Sequence, residues 1–89
     1  MTNTKNAAAG RLWTLCPWSG EVSAYDKAHL TLYARLLDAN SEGADLAEMA
    51  RAIFGFDLSR DGDRPLQIVE SHLARAIWMM EHGYPALNW

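Results

Sequence analysis

The sequence predicts an all-α fold: a compact three-helix, helix-turn-helix-like domain preceded by a flexible N-terminal arm. Two observations predict it. Apolar residues recur at helical spacing in three separate stretches, and capping or turn residues bracket each stretch. The chain of 89 residues is also long enough for one domain around one modest core. A hydrophobic fraction of 49% lies near the globular average and does not suggest a disordered chain. On this reading residues 1–22 form the arm and residues 23–89 the domain.

The arm has two parts. Met1 to Gly10 is polar and rich in small residues, and reads as a flexible tail without the basic start and apolar run of a signal peptide. Arg11 to Gly20 gathers Leu12, Trp13, Leu15, Cys16 and Trp18, with Pro17 interrupting any regular element. Two readings of this segment stand open. It packs its tryptophans against the helices, or it is a sticky segment that orders on a partner.

The first helix is expected from about Ser23 to Asp38. Ser23 is a good N-cap, with Asp26 three residues on as an imperfect capping-box partner. Leu30, Tyr33, Ala34 and Leu37 make its apolar face, with Leu32 and Tyr25 pointing away. Asn40-Ser41-Glu42-Gly43 ends it. The second helix is expected from about Asp45 to Phe54. Asp45 and Glu48 form a reciprocal capping pair, Leu46, Met49, Ala50 and Ile53 form the stripe, and Gly55 is the stop. A loop follows from Phe56 to Asp63.

The third helix is expected to begin near Arg64 or Pro65, after an Asp63 cap, and to end near His82 with Gly83 as the stop. Its stripe is Leu66, Val69, Leu73, Ala76, Ile77 and Met80, all within roughly 60° of a centre at Leu73. Ile68, Met79 and Trp78 fall outside that stripe, so the helix has more apolar surface than one buried face needs. Either the arm with Trp13 and Trp18 and the C-terminal tail fold over it, or another protein covers it. The outer face around Trp78 also carries Gln67, Ser71 and Arg75. A tryptophan beside arginine on a rigid helix has the composition of a binding hot spot. Gln67, Ser71, Arg75 and Trp78 are therefore the candidate partner-binding residues, with Tyr84, Leu87 and Trp89 in the tail behind them.

Electrostatics bear on the alternative of a DNA reader. The formal net charge is −3. Between Asp38 and Asp63 stand Asp38, Glu42, Asp45, Glu48, Asp57, Asp61 and Asp63 against Arg51 and Arg60, which repels DNA from that side. The best DNA-contacting candidates are Arg60, Arg64 and Arg75, with Gln67 beside them. The expected connection between the second and third helices also exceeds the roughly 3–4 residues of the usual turn.

Other chemistry finds little support. Asp57, Ser59, Asp61 and Gly62 resemble the start of a calcium loop, but Ile68 stands where a bidentate glutamate belongs. His29, His72 and His82 do not pair at metal-ligand spacing. No metal, no cofactor and no catalytic group is expected. One cysteine, Cys16, cannot form an internal disulfide, and the cytoplasm is the simplest setting. No apolar stretch approaches the roughly 18 residues of a membrane span.

Three stretches together resemble a known family: YARLLDANSEG at Tyr33 to Gly43, AEMARAIFGFD at Ala47 to Asp57, and ESHLARAIWMMEHGY at Glu70 to Tyr84. They are similar to a proteobacterial domain formerly of unknown function, whose small stand-alone members are the QseM-type antiactivators of integrative and conjugative elements. The resemblance covers about Leu30 to Tyr84. It implies a helix-turn-helix-variant fold and repression of element excision and conjugative transfer. The partners it implies are transcriptional activators: a LuxR-type quorum-sensing regulator and an activator bearing the same kind of domain. The expectation is a monomer or weak homodimer that sequesters an activator.

Overall fold

The computed structural model describes residues 13–86, and all regular structure within them is helical. Helix α1 spans Ala24–Ala28, α2 Leu30–Ser41, α3 Leu46–Ala52 and the short α4 Leu58–Asp61. Helix α5, Arg64–Trp78, runs on into a π-helical turn, Met79–Gly83, and a last short helix α6, Tyr84–Ala86. The expected flexible tail from Met1 to Gly10 lies outside the described residues, as do Leu87 and Trp89.

Local chemistry starts the first helices where the sequence says. Ser23 and Asp26 form a complete capping box, and so do Asp45 and Glu48. Gly55, at φ 74°, adopts the left-handed conformation after α3 that other residues adopt only with strain. The single helix expected over residues 23–38 is instead two. His29 leaves helical geometry at φ −121° and ψ 23°, and its Nδ1–H donates to the Tyr25 carbonyl at 2.7 Å. Helix α2 then continues to Ser41, past the expected end. The expected loop over residues 56–63 contains α4, whose first turn is capped by Asp57 accepting from the Ser59 N–H.

Helix α5 is the central element and packs against both α2 and α3. One apolar cluster joins Leu36, Met49, Ala50, Phe54, Phe56, Ile68 and Val69. A second joins Cys16, Tyr33, Ala76 and Met79. The buried face of α5 differs from the expected one. Pro65, Ile68, Val69, His72, Arg75, Ala76 and, beyond the helix end, Met79 are buried. That arc centres on His72, about 100° round from Leu73. Leu66, Leu73 and Ile77 are half-buried, and Met80 is 52% exposed. The expected centre was misplaced because a hydrophobic count treats histidine and arginine as outward. Both are buried here with partners for their polar atoms, which removes the penalty.

Two further expectations change. Gly83 does not stop the helix; the chain winds on through it. A Cβ there would fall on the Met79 sulfur, and within 3.2 Å of the Trp78 ring, so glycine serves close approach. Packing also begins before the expected domain boundary at residue 23. Residues 13–22, called the strap below, have no regular structure but lie across α5, with Cys16 buried and Trp13 half-buried.

Candidate functional site

The outer face of α5 is built around an ion pair. Arg75 and Asp26 are both fully buried, one on α5 and one on α1. The Arg75 Nε–H donates to Asp26 Oδ1 at 3.0 Å and an Nη2–H donates to Oδ2 at 2.7 Å. Tyr33 donates its hydroxyl hydrogen to Oδ1 at 2.8 Å, and the Ser23 N–H donates to Oδ2 at 2.8 Å. Burial alone would raise the Asp26 carboxyl, but the bonds from Arg75, Ser23 and Tyr33 outweigh it and hold the group well below the usual carboxylate range. The capping residue of α1 is thus also the counter-ion of α5.

Arg75 uses two further donors on the strap. Nη1 donates to the Ser19 carbonyl at 2.6 Å and Nη2 to the Glu21 carbonyl at 2.9 Å. The guanidinium carbon lies 3.9 Å from the Trp78 ring centroid and 4.8 Å from that of Trp18, in the corner the two indoles form. Ser71 accepts the Cys16 N–H at 2.9 Å and donates to the Ile68 carbonyl at 2.8 Å. The Tyr33 hydroxyl hydrogen is committed to Asp26, so the Cys16 thiol, 3.5 Å away, donates to the Tyr33 oxygen. Burial raises that thiol above its ordinary value, away from the thiolate form.

A second polar group lies under the other end of the strap. His72 is fully buried. Its Nδ1 faces the Ile68 carbonyl at 2.8 Å and must carry the proton, so Nε2 accepts from the Tyr25 hydroxyl at 2.7 Å. Tyr25 stacks on His29 at 3.9 Å. Trp13 closes over this group, edge-on to His29, Phe54 and His72. Burial lowers the His72 pKa, against the Ile68 hydrogen bond and with help from His29.

These positions revise the expected site. Arg75 is not on the surface, because Asp26, the strap carbonyls and two indoles enclose it; it is therefore unavailable as a DNA contact. Ser71 and Trp78 are half-buried beside the strap rather than open, and only Gln67 of the four is exposed. Tyr84 is half-buried against the cluster of Cys16, Tyr33, Ala76 and Met79. Leu87 and Trp89 lie outside the described residues. Arg60 and Arg64 are exposed, among the exposed Asp57, Asp61 and Asp63. What covers the outer face of α5 is the strap, the first of the two readings left open for that segment.

No family model matches the chain, and no curated protein matches it. Among the described residues no three side chains of His, Cys, Asp and Glu come together as a metal site. The Asp57 carboxylate is engaged by the Ser59 hydroxyl and N–H at 2.6 and 3.1 Å. No described helix is long and apolar enough to cross a membrane.

Sequence reasoning missed Asp26 and Tyr25 as parts of this site. Asp26 carried a capping signal that hid its second role. Nothing in local spacing points from residue 26 to residue 75.

Proposed function

We infer that this protein is an antiactivator that binds transcriptional activators and holds them away from their promoters, like the QseM-type antiactivators it resembles. The partners are a LuxR-type quorum-sensing regulator and an activator of the same family, the setting is the cytoplasm, and the consequence is repressed excision and transfer of a mobile element. One observation carries the binding part of this reading. The outer face of α5 takes hold of a polypeptide segment through its main chain, with Ser71 on an amide, Arg75 on two carbonyls and Trp78 as an aromatic shelf. Tryptophan and arginine so placed are the residues on which protein interfaces depend most. Direct DNA binding has weaker support, since burial of Arg75 leaves Arg60 and Arg64 amid carboxylates.

The test is calorimetric titration of the chain into each purified activator, together with transcription in vitro from an activator-dependent promoter. Stoichiometric loss of transcription is expected. Trp78→Ala weakens binding by roughly tenfold or more with helicity retained. If neither activator binds, the reading fails. A salt-dependent, sequence-specific gel shift by the chain alone would favour the DNA reader instead.

A further inference from the structure

The strap is attached to the domain in a particular way. Among the described residues, no main-chain to main-chain hydrogen bond joins residues 13–22 to a helix. The body reads the strap's backbone with side chains: Ser71 on the Cys16 amide, Arg75 on the Ser19 and Glu21 carbonyls. Its side-chain contacts are the buried Cys16, the half-buried Trp13 over His72 and Phe54, and Trp18, which lies against Arg75 and Trp78 with its outer side exposed. Thr14, Leu15 and all of residues 17–21 are exposed. Recognition of this kind selects an extended backbone with aromatic anchors and is tolerant of the residues between them.

The seat keeps its charge balance without the strap. The counter-ion of Arg75 is Asp26 on α1, and its shelf is Trp78 on α5. Removing the strap therefore strands no buried charge, which is the change that would make displacement prohibitive. It frees donors on Arg75 for water or for carbonyls of another segment. At the far end of the strap the chain bends at the exposed Gly20 and Glu21, and a Cβ on Gly20 would meet nothing within 4 Å. Besides Arg75 and His72 the strap covers apolar groups: Cys16 lies on the cluster of Tyr33, Ala76 and Met79, and Trp13 on the larger core cluster. A replacement must bring apolar groups to the same places.

We propose that the outer face of α5 is a seat for an extended peptide segment, that the strap is its resident competitor, and that an activator enters by displacing it. The activator segment has a defined chemistry: extended, with two aromatic anchors spaced like Trp13 and Trp18, a small apolar residue between them, and no cation facing Arg75. The activator's part rests on the antiactivator reading. The seat itself does not.

The experiment uses the full chain carrying Trp13→Ala and Trp18→Ala, and a labelled synthetic peptide of residues 11–22 with Cys16→Ala, read by fluorescence polarisation. The peptide binds the loosened variant at least roughly tenfold more tightly than the unaltered chain, because apparent affinity scales with the fraction of seats that are open. The same variant binds the activator more tightly, and the peptide competes with the activator. Peptide binding that is equal for the two proteins, or absent from a variant of native helicity, overturns the seat. Weaker activator binding by the variant overturns displacement, since the strap would then belong to the interface. If the activator binds neither protein while the peptide binds the variant, the antiactivator reading fails and the seat stands. Hydrogen exchange on the unaltered chain decides the matter if the variant does not fold. The Cys16 amide then opens at least roughly 100-fold more often than the His72 amide; equal protection would make the strap part of the global core and end the proposal.

Discussion

At the scale of single residues, Asp26 does the work of two. Its N–H and carboxylate close the capping box on Ser23, and the same carboxylate neutralises Arg75 inside the protein. Breaking one half of a buried pair leaves the other charge without compensation, so Asp26→Asn destabilises the fold by about 3–5 kcal/mol. That is a large share of the roughly 5–15 kcal/mol that holds a domain together. Urea unfolding of the variant measures it, and a cost under about 1 kcal/mol would mean the pair contributes little. Gly83 supports a separate prediction. Gly83→Ala costs about 1–3 kcal/mol because the added methyl meets the Met79 side chain. Gly20→Ala, with open space around it, leaves the unfolding midpoint unchanged. The pairing of Asp26 with Arg75 is not written in local sequence. Residues 26 and 75 meet only because α1 and α5 are brought side by side.

At the scale of elements, starts were easier to read than faces. Capping depends on residues three apart, so Ser23 with Asp26 and Asp45 with Glu48 could be paired from spacing alone, and both pairs form. Asp45→Ala removes the cap of α3 and costs about 1 kcal/mol, measurable as a lower thermal midpoint. The same change at Ser41, where the hydroxyl only returns to the Asp38 carbonyl, leaves that midpoint nearly still. The buried face of α5 was misplaced by one residue position, or about 100°. Counting apolar side chains put Leu73 at the centre, whereas the partnered polar groups His72 and Arg75 occupy the interior. Of the four residues expected on the outer face, only Gln67 is exposed; Ser71 and Trp78 are half-buried and Arg75 lies in the interior. That the chain's own strap, and not another protein, covers Ser71, Arg75 and Trp78 could not be decided from the helix.

At the scale of the molecule, two buried groups set the response to acid. His72 has its pKa depressed mainly by burial, so the folded chain binds a proton there less readily than the unfolded chain. Stability therefore falls as pH drops below about 6.5, the ordinary histidine value. Asp26 is held charged in the fold, so its contribution is complete above about 4 and is lost as pH falls further. Unfolding midpoints at about pH 7, 5 and 3.5 should decline in two stages. His72→Phe should remove most of the first stage, and a midpoint that does not move between pH 7 and 5 would show that His72 protonates freely in the fold. The strap connects these groups, with Trp13 closing over His72 and the Ser19 and Glu21 carbonyls resting on Arg75.

By itself the sequence determined the helical class, the capped starts of α1 and α3, the turn at Gly55 and the acidic surface of residues 38–63. Each follows from residues a few positions apart, where propensity, capping and charge act without reference to the rest of the chain. Only the tertiary structure decided which way α5 faces, that Arg75 lies inside rather than outside, and that residues 13–22 belong to the packed domain. Those outcomes depend on pairs such as Asp26 with Arg75, Tyr25 with His72 and Cys16 with Ser71. A buried polar side chain is stable only once its partner is in place, and no window of sequence contains both.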